Sequence, residues 1–172
     1  MAGLVHIYCG DGKGKTTAAL GLAVRCAGSG RRVLLTQFLK DGASSEFAAL
    51  ARVPGLETLP QTRTFGFTWT LTAEEKAEAR RYYGGLLEEA FRRGGDFDLL
   101  VLDEALGACA AGLLEEERLL ELLARRPEDL EVVLTGRGPS QALLDAADYV
   151  TEMRLIKHPY ERGVPARPGI EF

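Results

Sequence analysis

Cys9-Gly10-Asp11-Gly12-Lys13-Gly14-Lys15-Thr16-Thr17 stands between an apolar run, Leu4 to Tyr8, and an alanine-rich stretch, Ala18 to Ala27. The apolar run has the length of a buried strand and the alanine-rich stretch reads as a helix, so the glycines fall at a strand-to-helix turn. Small residues there let the backbone curl around an anion, with amides and the positive end of the helix dipole pointing inward. Lys15 adds a mobile charge, and Thr16 supplies a hydroxyl suited to a magnesium ion. Cys9 occupies the place of the first glycine in G-x-x-x-x-G-K-[ST], and counting from Gly10 leaves the loop one residue short. The stretch therefore predicts a phosphate-gripping P-loop, against the plainer alternative of a glycine-rich turn with no ligand.

Working outward, Gly28-Ser29-Gly30 stops the helix and Arg32 to Phe38 reads as a second strand, completing a strand–helix–strand unit. Ser44 or Ser45 caps a short helix through Ala51, and a short strand is expected near Leu56 to Leu59. Thr72-Ala73-Glu74-Glu75 matches a capping box, with Ala79, Tyr83, Leu86 and Ala90 at helical spacing after it. Asp98 to Asp103 has the continuous apolar character of a central parallel strand. A helix over Leu113–Leu123, a strand over Glu131–Thr135, a short helix through Ala147 and a strand over Tyr149–Leu155 follow. Residues 157–172 form an irregular tail broken by three prolines. The alternation predicts an α/β fold, a mostly parallel central sheet with helices on both faces, in a single domain spanning residues 1–172. Its ligand belongs at the carboxyl ends of the strands.

Composition excludes several classes of function. A hydrophobic fraction of 46% with 27% charged residues is that of a water-soluble globular chain, and no apolar stretch approaches the ~20 residues of a membrane span. With the N-terminus running straight into the first strand, no secretory leader is expected, which predicts a cytoplasmic protein. A net charge of −4 argues against a broad nucleic-acid-binding face. The three cysteines, Cys9, Cys26 and Cys109, lack metal-ligand spacing and read as reduced thiols.

If the sheet is parallel, the segments after its strands meet at one edge. Asp103-Glu104 then reads as a Walker B element, whose carboxylate anchors magnesium, or as an acidic helix start. Phe65, Phe67 and Trp69 alternate, so an extended backbone would turn all three to one face, as core or as a platform for a flat apolar ligand. Arg137, between two glycines, is either a phosphate fork or a surface arginine. Arg25, two to three turns beyond Lys15 on the same helix, meets solvent unless a nucleotide folds back over that helix. His6 and His158 read as strand-edge and tail residues. No Ser/His/Asp set, Cys/His pair or zinc spacing is present, which argues against covalent catalysis.

Taken in order, these segments resemble the corrinoid adenosyltransferases. Gly10 to Thr17 looks like that family's shortened P-loop and Gln37-Phe38-Leu39-Lys40 like its second-strand motif. Gly66-Phe67-Thr68-Trp69 and Val101-Leu102-Asp103-Glu104 follow. Leu134 to Gly138, Ala147-Asp148, Thr151 to Arg154, Ile156 to Pro159 and Gly169-Ile170-Glu171-Phe172 complete the likeness.

The resemblance implies a RecA-like sheet holding ATP reversed relative to P-loop hydrolases, and attack by a cobalt(I) corrinoid on the ribose 5′ carbon with loss of inorganic triphosphate. It implies ATP contacts from Gly10, Asp11, Gly12, Lys13, Gly14, Lys15, Thr16, Thr17, Arg25 and Arg137. Magnesium, or manganese, would be held by Thr16 and Glu104, and the corrinoid would meet Phe67 and Trp69. Lys15, Thr16 and Glu104 carry the catalytic roles. A reduced flavin or flavoprotein as electron donor and a homodimeric assembly are also expected, with no nucleic-acid or membrane partner. The sequence departs from some members at Asp11, where they have Asn, over Ala105–Cys109, where they are more aromatic, and in the few residues before the first strand. An ordinary P-loop ATPase or kinase, or a nucleotide sensor without turnover, are the competing readings.

Overall fold

In the computed structural model the described residues are 2–40, 45–66 and 68–170. Expectations resting on Phe67, on Gly42 and Ser44, and on Glu171 and Phe172 lie outside them.

Six strands build the sheet: β1 (Val5–Cys9), β2 (Val33–Gln37), β3 (Leu56–Thr58), β4 (Leu99–Asp103), β5 (Glu131–Thr135) and β6 (Tyr149–Glu152). They pair in the order β3-β2-β4-β5-β1-β6, and every pairing is parallel. Because the strands run the same way, their carboxyl ends share one edge, and register fixes who meets there. Gln37 lies opposite Asp103, Tyr8 opposite Thr135, and Cys9 opposite Glu152.

Helices α1 (Lys15–Gly28), α2 (Ser45–Leu50), α3 (Ala73–Gly94), α4 (Ala105–Ala110), α5 (Glu116–Arg125) and α6 (Gln141–Asp145) cover the sheet. Alternation along the strands sorts side chains into two cores. Val33, Leu35, Leu99, Val101 and Val133 pack with Ala19, Leu20, Ala23 and Ala27 of α1. Leu34, Leu100, Leu102, Val132, Leu134, Val5 and Ile7 pack on the other side with Ala79, Tyr83, Leu87 and Ala90 of α3, and with α4 and α5. Burying each such aliphatic side chain stabilises the fold by about 1.5–3 kcal/mol, which is why the inner strands read as unbroken apolar runs. At the head of α3 the capping box forms, with Glu75 N–H donating to Thr72 Oγ1 (3.2 Å) and Thr72 N–H donating to Glu75 Oε2 (2.8 Å).

Four local expectations change. Helix α1 begins at Lys15, inside the glycine-rich stretch rather than after it. Helix α4 follows Asp103-Glu104 directly, and α5 starts at Glu116 because Leu113 and Leu114 are buried in the connecting loop instead. Strand β6 ends at Glu152, where the chain bends over the loop after β1. The aromatic triplet does not line one face: Thr68–Thr70 form a turn, which sends Trp69 outward while Phe65 packs on Tyr82 and Tyr83. Pro159–Arg162 makes a single 3-10 turn within the tail.

Candidate functional site

The loop between β1 and α1 is shaped by two demands on its glycines. Gly14 precedes α1 with φ of 114°, a conformation side chains rarely adopt, and its carbonyl accepts from Ala18 N–H at 2.8 Å. The amides of Lys15, Thr16 and Thr17, ahead of that first intrahelical bond, are donors a helix leaves for another partner. Gly12 answers to crowding. Its N–H donates to the Met153 carbonyl at 2.7 Å, and a Cβ there would stand 2.6 Å from that oxygen and 2.8 Å from the Arg154 carbonyl. Met153 N–H in turn donates to the Cys9 carbonyl at 2.8 Å, so the chain beyond β6 clasps the loop from behind. The Gly12 amide is thereby committed to protein, and the donors facing outward begin further along.

Lys15 is nearly buried, and its ammonium donates to the carbonyls of Gly10 (2.7 Å) and Gly12 (2.8 Å). Burial first, and the nearby Arg137 charge second, lower its pKa, while Glu104 and Asp11 oppose the shift. A cation and the helix's amino end thus face one opening, an arrangement that attracts polyphosphate.

Behind the opening lies a network at the ends of β2, β4 and β5. Asp103 is fully buried. Its Oδ2 accepts from Gln37 Nε2 and from Lys40 Nζ, each at 2.9 Å, and its Oδ1 accepts from the Thr135 hydroxyl at 2.6 Å. Thr135 Oγ1 also accepts from Glu104 N–H at 2.9 Å. That bond holds Glu104 in the left-handed conformation, φ 60°, a strained setting for a residue with a side chain. Burial, then the neighbouring Asp103, raises the Glu104 pKa, and Lys40, Lys15 and Arg137 counter the rise. The Lys40 ammonium also donates to Thr16 Oγ1 at 3.4 Å, bridging the loop and the acidic pair.

An open cleft of about 590 Å³ gathers Asp11 through Thr17, Lys40, Glu104 and Arg137. Arg137 lies 3.5 Å from Asp11, an exposed pair that contributes little energy. Ser45 and Glu46 at the head of α2 and the tail residues His158, Gly169 and Ile170 complete its wall. Arg25 is not among the cleft residues. Ten positions along α1 from Lys15, it lies about 15 Å away at ~1.5 Å per residue, exposed and beside Tyr8. Trp69 is 78% exposed.

Sequence reasoning placed the loop, Asp103 and Glu104 in the cleft, and the structure brings these together with Arg137. It gave no individual role to Lys40, Gln37, Thr135 or His158. Gln37 and Thr135 end β2 and β5 and Lys40 lies just beyond β2, the signal by which they could have been found.

A parallel sheet with a phosphate loop after one strand and an acidic pair after another defines a P-loop nucleotide-binding protein of RecA-like fold. Solved structures share that architecture. The KaiC-like protein PH0186 of Pyrococcus horikoshii OT3 superposes with a TM-score of 0.56 at 19% identity, over 91% of this chain and 75% of its own. The cytoplasmic domain of the Thermomonospora curvata type VII secretion ATPase EccC superposes with a TM-score of 0.51 at 21% identity, over 94% of this chain and 22% of its own. Sequence narrows the class: the profile of the family described as ATP:corrinoid adenosyltransferase BtuR/CobO/CobP matches residues 1–172, and the chain belongs to that family. The corrinoid adenosyltransferase of Pseudomonas aeruginosa is 35% identical over 99% of this chain and 84% of its own length. That of Escherichia coli K12 is 36% identical over 99% and 86% respectively.

Proposed function

We propose that the cleft holds ATP with its triphosphate gripped by the loop and its ribose turned outward, so that the cobalt(I) of a corrinoid meets the 5′ carbon and inorganic triphosphate leaves. The overall transfer, adenosyl group from ATP to corrinoid, is the family's reaction. The observation that carries the gripped triphosphate is the fixing of the Lys15 ammonium by two loop carbonyls at the amino end of α1, and the outward ribose follows from the family's reaction. Charge to receive a leaving triphosphate is built into the fold, and no protein nucleophile is required.

The donor set fits a hard divalent cation. The Thr16 hydroxyl and the Asp103 carboxylate are already bridged by a positive group, and Glu104 borders the same cleft. Among the described residues no three His, Cys, Asp or Glu converge, in keeping with an ion that takes one or two protein ligands and completes its shell with phosphate oxygens and water. Thr16 and Glu104 would hold Mg²⁺ or Mn²⁺. When bound, the ion neutralises charge on the triphosphate.

The chain's own residues do the rest. Lys13, Lys15, Arg137 and the amides of Lys15 to Thr17 stabilise charge growing on the leaving group. Holding the reacting atoms in line can contribute about 7–11 kcal/mol, against about 3–4 kcal/mol for one preorganised donor, so positioning dominates. Asp11 contacts the ribose or the base, and Arg25 contacts ATP where the nucleotide folds back over α1. Trp69, with Phe67, meets the corrinoid face and keeps a lower axial ligand from cobalt(II), easing its reduction. The reading extends to a reduced flavin or flavoprotein as donor, to a cytoplasmic homodimer, and to one domain over residues 1–172. Among the described residues no helix is long and apolar enough to cross a membrane.

One assay tests the reading. Purified protein with Mg–ATP and chemically reduced cobalamin should yield inorganic triphosphate and a light-sensitive cobalt–carbon product. ADP as product would instead indicate a hydrolase or kinase, and unchanged ATP a sensor.

A further inference from the structure

Asp103 is a fully buried carboxylate, and a buried charge needs a countercharge. Gln37 and Thr135 give it neutral donors; among the described residues Lys40 is its one charged hydrogen-bond partner. The Lys40 head sits 2.9 Å from Asp103 Oδ2 and 3.4 Å from Thr16 Oγ1. A divalent ion joining the loop hydroxyl to the acidic pair would stand in the same place, and two cations do not share a seat a few ångströms wide.

Two further features mark the seat as exchangeable. The bond to Thr16 is at the weak end of the hydrogen-bond range, and the Lys40 side chain, 27% exposed, rides a flexible four-carbon stem bordering the open cleft. The Gln37 side chain is 2% exposed, and while its amide nitrogen serves Asp103, its Oε1 accepts no hydrogen bond among the described residues. Turning the amide over would set that oxygen against the carboxylate, so the acceptor stays unsatisfied. Lys40 directs its bonds to Asp103 and Thr16 and makes none to this oxygen among the described residues. The hydration water of a metal ion carries donors of the kind this oxygen lacks.

We propose that Lys40 is a tethered counter-cation that, in the nucleotide-free enzyme, occupies the seat between Thr16 and the Asp103–Glu104 pair and yields it to the metal arriving with ATP, which Thr16 and Glu104 then hold. The proposal rests on the reading that a metal–ATP complex enters this cleft. It gives Lys40 a positioning role with two parts. The seat is neutralised, and so barely attracts metal alone, until nucleotide phosphates compete for the lysine. The displaced ammonium then swings into the cleft, toward the triphosphate.

The test is Mn²⁺ binding to the full chain without nucleotide, followed by electron paramagnetic resonance, for the wild type and for Lys40→Met and Lys40→Gln. Removing the resident charge should tighten nucleotide-free Mn²⁺ binding at least tenfold in both variants. Both should melt below the wild type in chelator and recover with Mn²⁺ concentrations that leave the wild type unchanged. Lys40→Gln keeps a hydrogen bond to Asp103 and serves if the methionine variant does not fold. Unchanged or weaker Mn²⁺ affinity, or a melting loss that Mn²⁺ does not repair, would overturn the proposal and make Lys40 a fixed structural partner. Failure of wild-type protein to bind Mn–ATP would instead count against the nucleotide reading, since the variant comparison needs no ATP.

Discussion

Thr135→Val removes one oxygen from a fully buried site while nearly preserving shape. That oxygen donates to Asp103 Oδ1 at 2.6 Å and accepts from Glu104 N–H at 2.9 Å. Each buried group left without its partner costs about 1–3 kcal/mol, for a total of roughly 2–6 kcal/mol. Asp103 keeps Gln37 and Lys40, which favours the lower half, about 3 kcal/mol. For a chain of this size that lowers Tm by roughly 6–12 °C. Function should fall too, because the lost bond is what steadies Glu104 at φ 60°. Disturbing the support of a metal-binding carboxylate lowers activity by about 10–100-fold in comparable sites. Differential scanning calorimetry and triphosphate release measure the two effects, and Thr135→Ser should restore both. A valine variant melting within about 2 °C of wild type, less than the shift of a single lost bond, with full turnover, would refute the argument.

Gly12→Ala should distort the loop from behind, since the new methyl meets two main-chain oxygens within 2.8 Å. A cost of about 1–3 kcal/mol is expected as a lowered urea midpoint, with weakened ATP binding by calorimetry. Trp69→Ala, at an exposed position, should leave the melting temperature unchanged and impair turnover from cobalt(II) more than from pre-reduced cobalt(I). Equal losses in the two assays would remove Trp69 from the corrinoid role. Cys109, its pKa pushed up to about 12 by burial, should resist alkylation near neutral pH until the protein unfolds, as mass spectrometry of labelled protein can show. Because its folded value exceeds the ordinary 9.0, its stabilising contribution is complete below pH 9 and is lost as pH rises toward 12; Cys109→Ala should flatten that decline.

The fold was legible wherever one local rule spoke alone. The inner strands are buried on both faces, so Val33–Gln37 and Leu99–Asp103 show as apolar runs, and the Thr72 capping box marks its helix by hydrogen-bonding residues alone. Helix α4 shows in the sequence only as the alternative of an acidic helix start at Asp103-Glu104, because Glu104 enters it from a left-handed conformation and makes no side-chain cap bond. The alternation of Phe65, Phe67 and Trp69 misled because a turn at Thr68–Thr70 breaks the period on which the one-face reading depends. In the site, the loop and acidic pair were readable from spacing. The segments carrying Gln37, Lys40 and Thr135 were expected at the same edge, but their individual bonds to Asp103 were not readable, because those arise from strand register: the pairing of Gln37 with Asp103, and of β5 between β4 and β1, makes them neighbours. His158 reached the cleft wall by the path of the tail, which no local pattern encodes.

The clasp between Gly12 and Met153 also sets an order of events during synthesis. The phosphate loop is made well before its backing, since Met153 follows Gly12 only after five further strands. A nascent polypeptide can therefore assemble the inner strands while the segment that will grip nucleotide still lacks its support. The backing of the loop is complete only when β6 is laid beside β1.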